Sequence, residues 1–305
     1  MKLGELSRVE LAERLKNVGL ILQIGPFCFR LISPLPQILE GLQILYSGYA
    51  LAKEGTFADF TVTIAEGDGL RRWLRKQCIF RFDGWEPFAP LPVAHALPLL
   101  EWAMNWCISM HAHQYLLLHS AVIEREGFAV ILPAPPGSGK STLCAGLIHR
   151  GWRLLSDELA LISLSDASLA PLGRPVSLKN QSVGIVRAFE PSSVFSPVVH
   201  ETSKGSVALM RVPQAHLDRI ADVAHPRWVV FPKYVAGSPP ELTGRSKANS
   251  MLELGRNSFN YMVLGRVGFE TLSKVIDASD CYDFHYSQLD DAVRVFDDLV
   301  AQRSM

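Results

Sequence analysis

Residues 134–142 read APPGSGKST, with two glycines flanking a serine and a lysine, a serine and a threonine following at once. Glycine has no Cβ, so Gly137 and Gly139 let the backbone wrap closely around a phosphate. The N–H groups of Gly137, Ser138 and Gly139, and those of a helix opening at Lys140, then point at negative oxygens. Lys140 places a point charge near β- and γ-phosphates, and the Ser141 hydroxyl is suited to Mg²⁺. Pro136 and Thr142 complete the candidate nucleotide-contacting positions. The segment fits the phosphate-binding loop pattern with alanine at the first glycine position. An apolar FAVIL precedes it and STLCAGLIHR follows, which is the strand–loop–helix order the motif requires. A chance glycine-rich turn is the alternative, and this context stands against it. The chemistry implied is binding of ATP with Mg²⁺.

Asp157 and Glu158 lie in RLLSDE, 17 and 18 residues after Lys140. They are expected on the strand that directly follows the loop's helix. A short helix between two strands tends to keep those strands adjacent, which brings Asp157 close to the bound phosphates. A carboxylate there can hold Mg²⁺ through water, or accept the proton of an attacking hydroxyl. Asp157 is thus the candidate base, and Ser141, Asp157 and Glu158 are the candidate metal positions. A turn or a surface acidic pair is the other reading. His119, in LLLHSAV, is expected to face the γ-phosphate or the acceptor hydroxyl, with a core histidine satisfied by a carbonyl as the alternative. Arg174 and Lys179, in GRPVSLKN, are candidate phosphate or substrate ligands, with plain surface charge as the rival. Arg245, Arg256 and Asn260 form a further polar group for which phosphate clamping is the one role suggested.

The elements that must position these groups read as follows. A short amphipathic helix is expected over residues 6–16, a strand over 26–33, a helix over 35–45 and strands over 57–67 and 77–82. Together they make a small α+β unit without a chemical motif. Residues 84–98 hold four prolines and a glycine and are the expected linker or domain edge. The helix that follows, about 94–111, carries Trp102, Met104, Trp106 and Met110 at a spacing that reads as core packing. Strands at 115–123 and 128–134 are expected to form a hairpin feeding the loop. A helix over 140–150, a strand over 153–164 and a later strand over 229–234 come next. Helices are expected over 247–254, 261–276 and 289–302, with CYDFHYS as a short strand between the last two.

The chain has 305 residues, 48% of them hydrophobic and 20% charged, which excludes a wholly disordered protein. Thirty Lys and Arg balance thirty Asp and Glu, so no global field draws it to nucleic acid or an anionic membrane. The five cysteines are odd in number, scattered and without a CxxC pair, which points to reduced thiols rather than a disulfide framework or a structural zinc site. The first twenty residues mix both charge signs without an apolar signal core, and no apolar span of about 20 residues is present. The expectation is a cytoplasmic protein without membrane insertion.

The run LLLHSAVIEREGFAVILPAPPGSGKSTLCAGLIHRGWRLLSDELALI resembles the catalytic core of the HPr kinase/phosphorylase superfamily, and more narrowly the HprK-related kinases. In that pattern a histidine in a strand precedes a hairpin, the loop, a helix, a glycine-containing turn and a strand with an acidic pair. Here His119, Gly137 to Thr142, Gly151 and Asp157–Glu158 stand in that order. The resemblance covers about 50 residues strongly, and RPVSLKN and the LGRVGF–CYDFHYS–LDDA tail extend a weaker likeness. It implies an α/β, P-loop-containing HPr kinase/PEP carboxykinase-like core at residues 93–305, after a small N-terminal α+β domain at 1–92. It implies ATP- and Mg²⁺-dependent phosphorylation of a hydroxyl acceptor, a protein serine or a small molecule. Asp157 matches the family's proposed base, Lys140 and Ser141 match its phosphate and magnesium contacts, and a homo-oligomer is the assembly it suggests. The chain departs from the pattern at Glu158, where the family has a second aspartate, and it lacks an EVRGLG-like segment downstream. Rival readings are a P-loop ATPase and a nucleotide-binding switch that transfers nothing.

Overall fold

A computed structural model describes residues 1–53, 55–67 and 76–302. Ser7 and Glu10 close a capping box at the start of α1 (Arg8–Lys16), so two end N–H groups find acceptors. β1 (Leu20–Ile24) and β2 (Phe27–Ile32) form a hairpin, and Pro36 opens α2 (Pro36–Leu45) at a position where a missing N–H costs nothing. β3 (Phe60–Glu66) alternates buried and half-buried side chains, as its sequence predicts, and β4 (Gln77–Arg81) and β5 (Leu91–Pro92) complete a five-stranded sheet. α3 (Ala96–His111) lies on β3, β4 and α2 and places Leu99, Met104 and Cys107 in the same core. The expected linker at 84–98 therefore holds a strand and a helix start, and the expected boundary at 92/93 falls before a helix that shares the first core. Met110, read as core, is exposed.

The second half is built around a six-stranded sheet. Its members are β7 (Ser120–Arg125), β8 (Phe128–Pro133), β9 (Arg153–Ser156), β15 (His225–Tyr234), β16 (Glu241–Gly244) and β17 (Asp280–Tyr286), in the order β16-β17-β15-β8-β7-β9. β8, β15 and β17 run parallel, while β7 and β16 are antiparallel to their neighbours. Side chains alternate between faces with period two. Ala121, Ile123, Val130, Leu132, Trp228 and Val230 enter one core, and Val122, Ala129, Ile131 and Val229 enter another. Both faces being covered, β7 and β8 carry the nearly continuous apolar stretches AVI and FAVIL.

The first of these cores is closed by α4 (Lys140–Ile148), α5 (Gln181–Phe189), α10 (Leu289–Ala301) and a three-stranded sheet. That sheet orders β12 (Val176–Lys179), β14 (Gly205–Met210) and β13 (Val199–Thr202) as β12-β14-β13, and a short α6 (Gln214–Leu217) follows it in the chain. The opposite core is closed by β6 (Tyr115–Leu118) and β10 (Ala160–Ser163), which pair with each other, while β11 (Leu169–Ala170) pairs with β10 on its other side. α7 (Lys247–Arg256), α8 (Tyr261–Leu264) and α9 (Arg266–Asp277) cover it.

Three expectations need correction. The apolar run at 115–123 is two strands, β6 and β7, which part at His119 and join different sheets. The run at 153–164 is likewise two strands, β9 and β10, divided at residues 157–159. β9 does not adjoin the strand leading into the loop, because β7 lies between it and β8. In each run the change of sheet falls at a short polar step, His119-Ser120 or Ser156-Asp157-Glu158, between apolar stretches, and periodicity does not tell such a step from the polar positions of one continuous strand. All five cysteines are free, four of them buried. No helix among the described residues is long and apolar enough to cross a membrane.

Candidate active site

β8 ends at Pro133 and α4 begins at Lys140, so residues 134–139 form the connecting loop. Gly137 and Gly139 hold φ of +87° and +88°, a region that L side chains enter at a cost. At Gly139 a Cβ would also stand 2.5 Å from the Tyr286 hydroxyl oxygen. That hydroxyl donates to the Gly139 carbonyl at 2.9 Å, and the Tyr234 N–H donates to the Ser138 carbonyl at 2.8 Å. The ends of β15 and β17 thus brace the loop. Pro136 and Gly137 are exposed at its tip, and the buried Ser138 Oγ has no partner among the described residues. Thr142 turns inward and donates to Ser182 Oγ at 2.8 Å.

The topology brings the other candidates to the same edge of the sheet. β7 starts where β8 ends, with Ser120 opposite Pro133, so His119 stands beside the loop. β9 runs antiparallel to β7 and ends at Ser156, which delivers Asp157 and Glu158 to that edge as well. Two strand spacings, about 10 Å, separate β9 from β8. The long Lys140 side chain spans the gap, and its Nζ donates to the Asp157 main-chain oxygen at 2.9 Å.

Asp157 is 4% exposed. Its Oδ2 accepts the Ser177 N–H at 3.3 Å, whereas the buried Oδ1 has no partner among the described residues. Burial raises the Asp157 carboxyl above the usual aspartate range, against the pull of Lys140, and Glu158 adds to the rise while the Ser141 hydroxyl opposes it. Glu158 behaves oppositely. Burial opposes its ionisation, but a hydrogen bond from His119 and the ammonium groups of Lys140, Lys179 and Lys204 hold it well below the usual carboxylate range. His119 Nε2 stands 3.3 Å from Glu158 Oε2, and Lys179 Nζ stands 3.9 Å from Oε1. The edge therefore carries two neighbouring carboxyls whose pKa values are pushed apart, Asp157 upward and Glu158 downward.

Arg174 is turned toward α3. Its guanidinium pairs with the Glu101 carboxylate, donates to the Glu101 carbonyl at 2.8 Å and to Asn105 Oδ1 at 2.5 Å, and Tyr46 donates to the same Glu101 carboxylate. It still lines a narrow cleft with Asp157, Glu158, Ser177 and Trp102. Arg245 pairs with Asp283, Arg256 stands 3.9 Å from Glu253, and Asn260 is buried against the main chain of β6. That last trio does not meet the loop. Lys204, Trp102, Tyr234 and Tyr286 complete the surroundings and carry no motif in the sequence. A wider cleft of about 470 Å³ lies elsewhere, lined by Lys2, Ser47, Ser193 and Arg211. It meets α4 at His149, the opposite end from Lys140.

Neither a family model nor a curated protein sequence matches the chain. Among solved structures the Hpr(Ser) kinase/phosphatase from Coxiella burnetii is similar, with 14% identity and a TM-score of 0.30 over 62% of this chain and 95% of that one. A likeness at that score carries no argument about the chemistry here.

Proposed function

We propose that the chain is an ATP-dependent phosphotransferase that moves the γ-phosphoryl group to a hydroxyl acceptor. The observation that carries this reading is the meeting of Lys140 with the Asp157–Glu158 turn, next to a loop whose two glycines hold left-handed conformations. The sequence resemblance to the HPr kinase/phosphorylase superfamily points the same way.

In this reading the loop at 136–142 and the first turn of α4 bind the nucleotide phosphates through backbone N–H groups. Lys140 neutralises charge on the transferring group. The donor set fits Mg²⁺, since the Ser141 hydroxyl lies beside the Asp157 carboxylate and Glu158 is the next residue. Ser141, Asp157 and Glu158 would hold the ion, which supplies charge neutralisation when bound. Asp157 accepts the acceptor's proton as its oxygen bonds to the γ-phosphorus. The bond from that phosphorus to the bridging oxygen breaks, and ADP leaves with the electron pair. A base with a raised pKa accepts that proton more readily than an ordinary aspartate. His119 positions Glu158, and Glu158 in turn fixes Lys179.

A second reading, an ATPase or nucleotide switch, is favoured by the small room beside Asp157, about 20 Å³. A water fits there. The two are separated by incubating the protein with γ-labelled ATP, Mg²⁺ and a lysate divided into macromolecules and small metabolites. Label entering one fraction, and lost with Lys140→Ala, supports transfer. Label found as free phosphate alone refutes it in favour of hydrolysis.

A further inference from the structure

The cleft beside Asp157 has features that nucleotide binding leaves unused. Asp157 and Arg174 both line it, and their buried Oδ1 and Nε atoms have no hydrogen-bond partner among the described residues. Buried polar atoms left unpaired are costly and mark places where a ligand completes the set. A hydroxyl is the group that satisfies both, since it donates to a carboxylate and accepts from a guanidinium N–H. The room of about 20 Å³ admits the hydroxyl end of a molecule and no more.

The cleft's own lining sets Glu101, Asp157 and Glu158 against Arg174, and two ammonium groups lie close by. Lys204 sits on the turn between β13 and β14 with its Nζ 5.4 Å from the ring centre of Trp102, a residue of the cleft wall. The turn is fixed. Lys204 N donates to Thr202 Oγ1 at 3.1 Å, Thr202 donates to the Gly205 carbonyl at 2.7 Å, and Asn180 Oδ1 receives Ser206 N at 3.0 Å. Asn180 directly follows Lys179, so one set of hydrogen bonds holds both lysines in place. Lys179 reaches Glu158, while the Lys204 ammonium makes no hydrogen bond or ion pair among the described residues. Lys140 belongs to the nucleotide in the proposed reaction. The Lys204 ammonium is then a cation without a paired anion, and a neutral acceptor would leave it so.

We propose that this cleft is the acceptor subsite, and that it takes a small hydroxyl compound bearing its own carboxylate or phosphate. The hydroxyl lies between Asp157 and Arg174, and the anion lies against Lys204 and Lys179. This inference rests on the phosphotransferase reading, and bond changes follow that reaction: the acceptor oxygen gains the γ-phosphoryl group, its proton passes to Asp157, and ADP keeps the electron pair.

The test is calorimetric titration of the full chain with glycerol, glycerate and glycerol 3-phosphate, with and without Mg²⁺ and a non-hydrolysable ATP analogue. At least one anionic probe should bind roughly tenfold or more tightly than glycerol. Which probe does so tells carboxylate from phosphate. Lys204→Met should remove that preference and Lys204→Arg should keep it. Equal binding of all three probes, or an anion preference untouched by Lys204→Met, overturns the proposal. So does label transfer to a polypeptide at an undiminished rate in Lys204→Met. If the analogue fails to bind while the anions still depend on Lys204, the phosphotransferase reading falls and the anion subsite stands.

Discussion

Lys140 Nζ lies 2.9 Å from the main-chain oxygen of Asp157, although the strands that deliver the two residues are separated by a third. The contact ties the glycine loop to the acidic turn. It fixes the ammonium at the edge where His119, Glu158, Tyr234 and Tyr286 also end.

Gly139→Ala combines a φ of +88° with a Cβ 2.5 Å from the Tyr286 hydroxyl. A left-handed alanine costs about 1–2 kcal/mol before the clash is counted. Binding of a fluorescent ATP analogue should weaken by roughly tenfold or more. Tyr286→Phe removes one hydrogen bond to the loop and should cost about 1 kcal/mol of stability. Unchanged nucleotide affinity in Gly139→Ala would contradict the role given to the loop.

The pH profile follows from Asp157. Burial raises its carboxyl above the usual aspartate range. A base must be ionised, so transfer should fall on the acid side at a higher pH than an ordinary aspartate gives. A carboxyl raised in the native state favours folding below its unfolded pKa, and that benefit is lost as pH rises through the native value. Asp157→Asn should therefore raise Tm at neutral pH. Thermal scans and a kcat/KM profile check both, and a lower Tm at neutral pH would contradict the burial argument.

Arg174, Glu101, Tyr46 and Asn105 form a buried polar network joining α2 and α3 to the segment before β12. Removing one partner of a buried pair costs about 3–5 kcal/mol, while replacing both with apolar groups costs far less. Glu101→Gln should lower the urea midpoint strongly, and Glu101→Leu with Arg174→Met should recover much of the loss. Additive losses in the double variant would argue against a coupled pair.

His216 accepts the Leu154 N–H on its Nδ1 at 3.2 Å, which requires a neutral ring. Burial, aided by the Arg153 guanidinium, pushes its pKa down to about 4 from an ordinary 6.5. The unfolded chain binds the proton first, so stability should fall as pH drops from 6.5 toward 4. Urea midpoints across that window should be flatter in His216→Gln. The same slope in both proteins would refute this assignment.

The strand, loop and helix around residues 134–142 were readable because their signals are local: an apolar run, two glycines and a helical pattern in sequence. The half-buried β3 was readable for the same reason. The breaks at His119 and at residues 157–159 were not, because a polar step of two or three residues reads the same whether or not the apolar stretches on either side enter different sheets. Lys204 was also hidden. It depends on β12 pairing with β14, as in Val176 opposite Met210, and such long-range pairing leaves no local trace. Arg174 drew notice as a charge, but its partner Glu101 lies 73 residues earlier, on α3.

The central claim is that the loop binds ATP and that Asp157 serves as the base for the acceptor hydroxyl. ATP affinity and single-turnover transfer from γ-labelled ATP, measured together on wild type, Lys140→Ala and Asp157→Asn, test it most directly. Lys140→Ala should lose transfer by about 10²–10³-fold or more. Asp157→Asn should bind ATP within a few-fold of wild type while transfer falls by about 10²-fold or more. Equal losses of affinity and transfer in Asp157→Asn, or transfer that survives Lys140→Ala, would contradict the account.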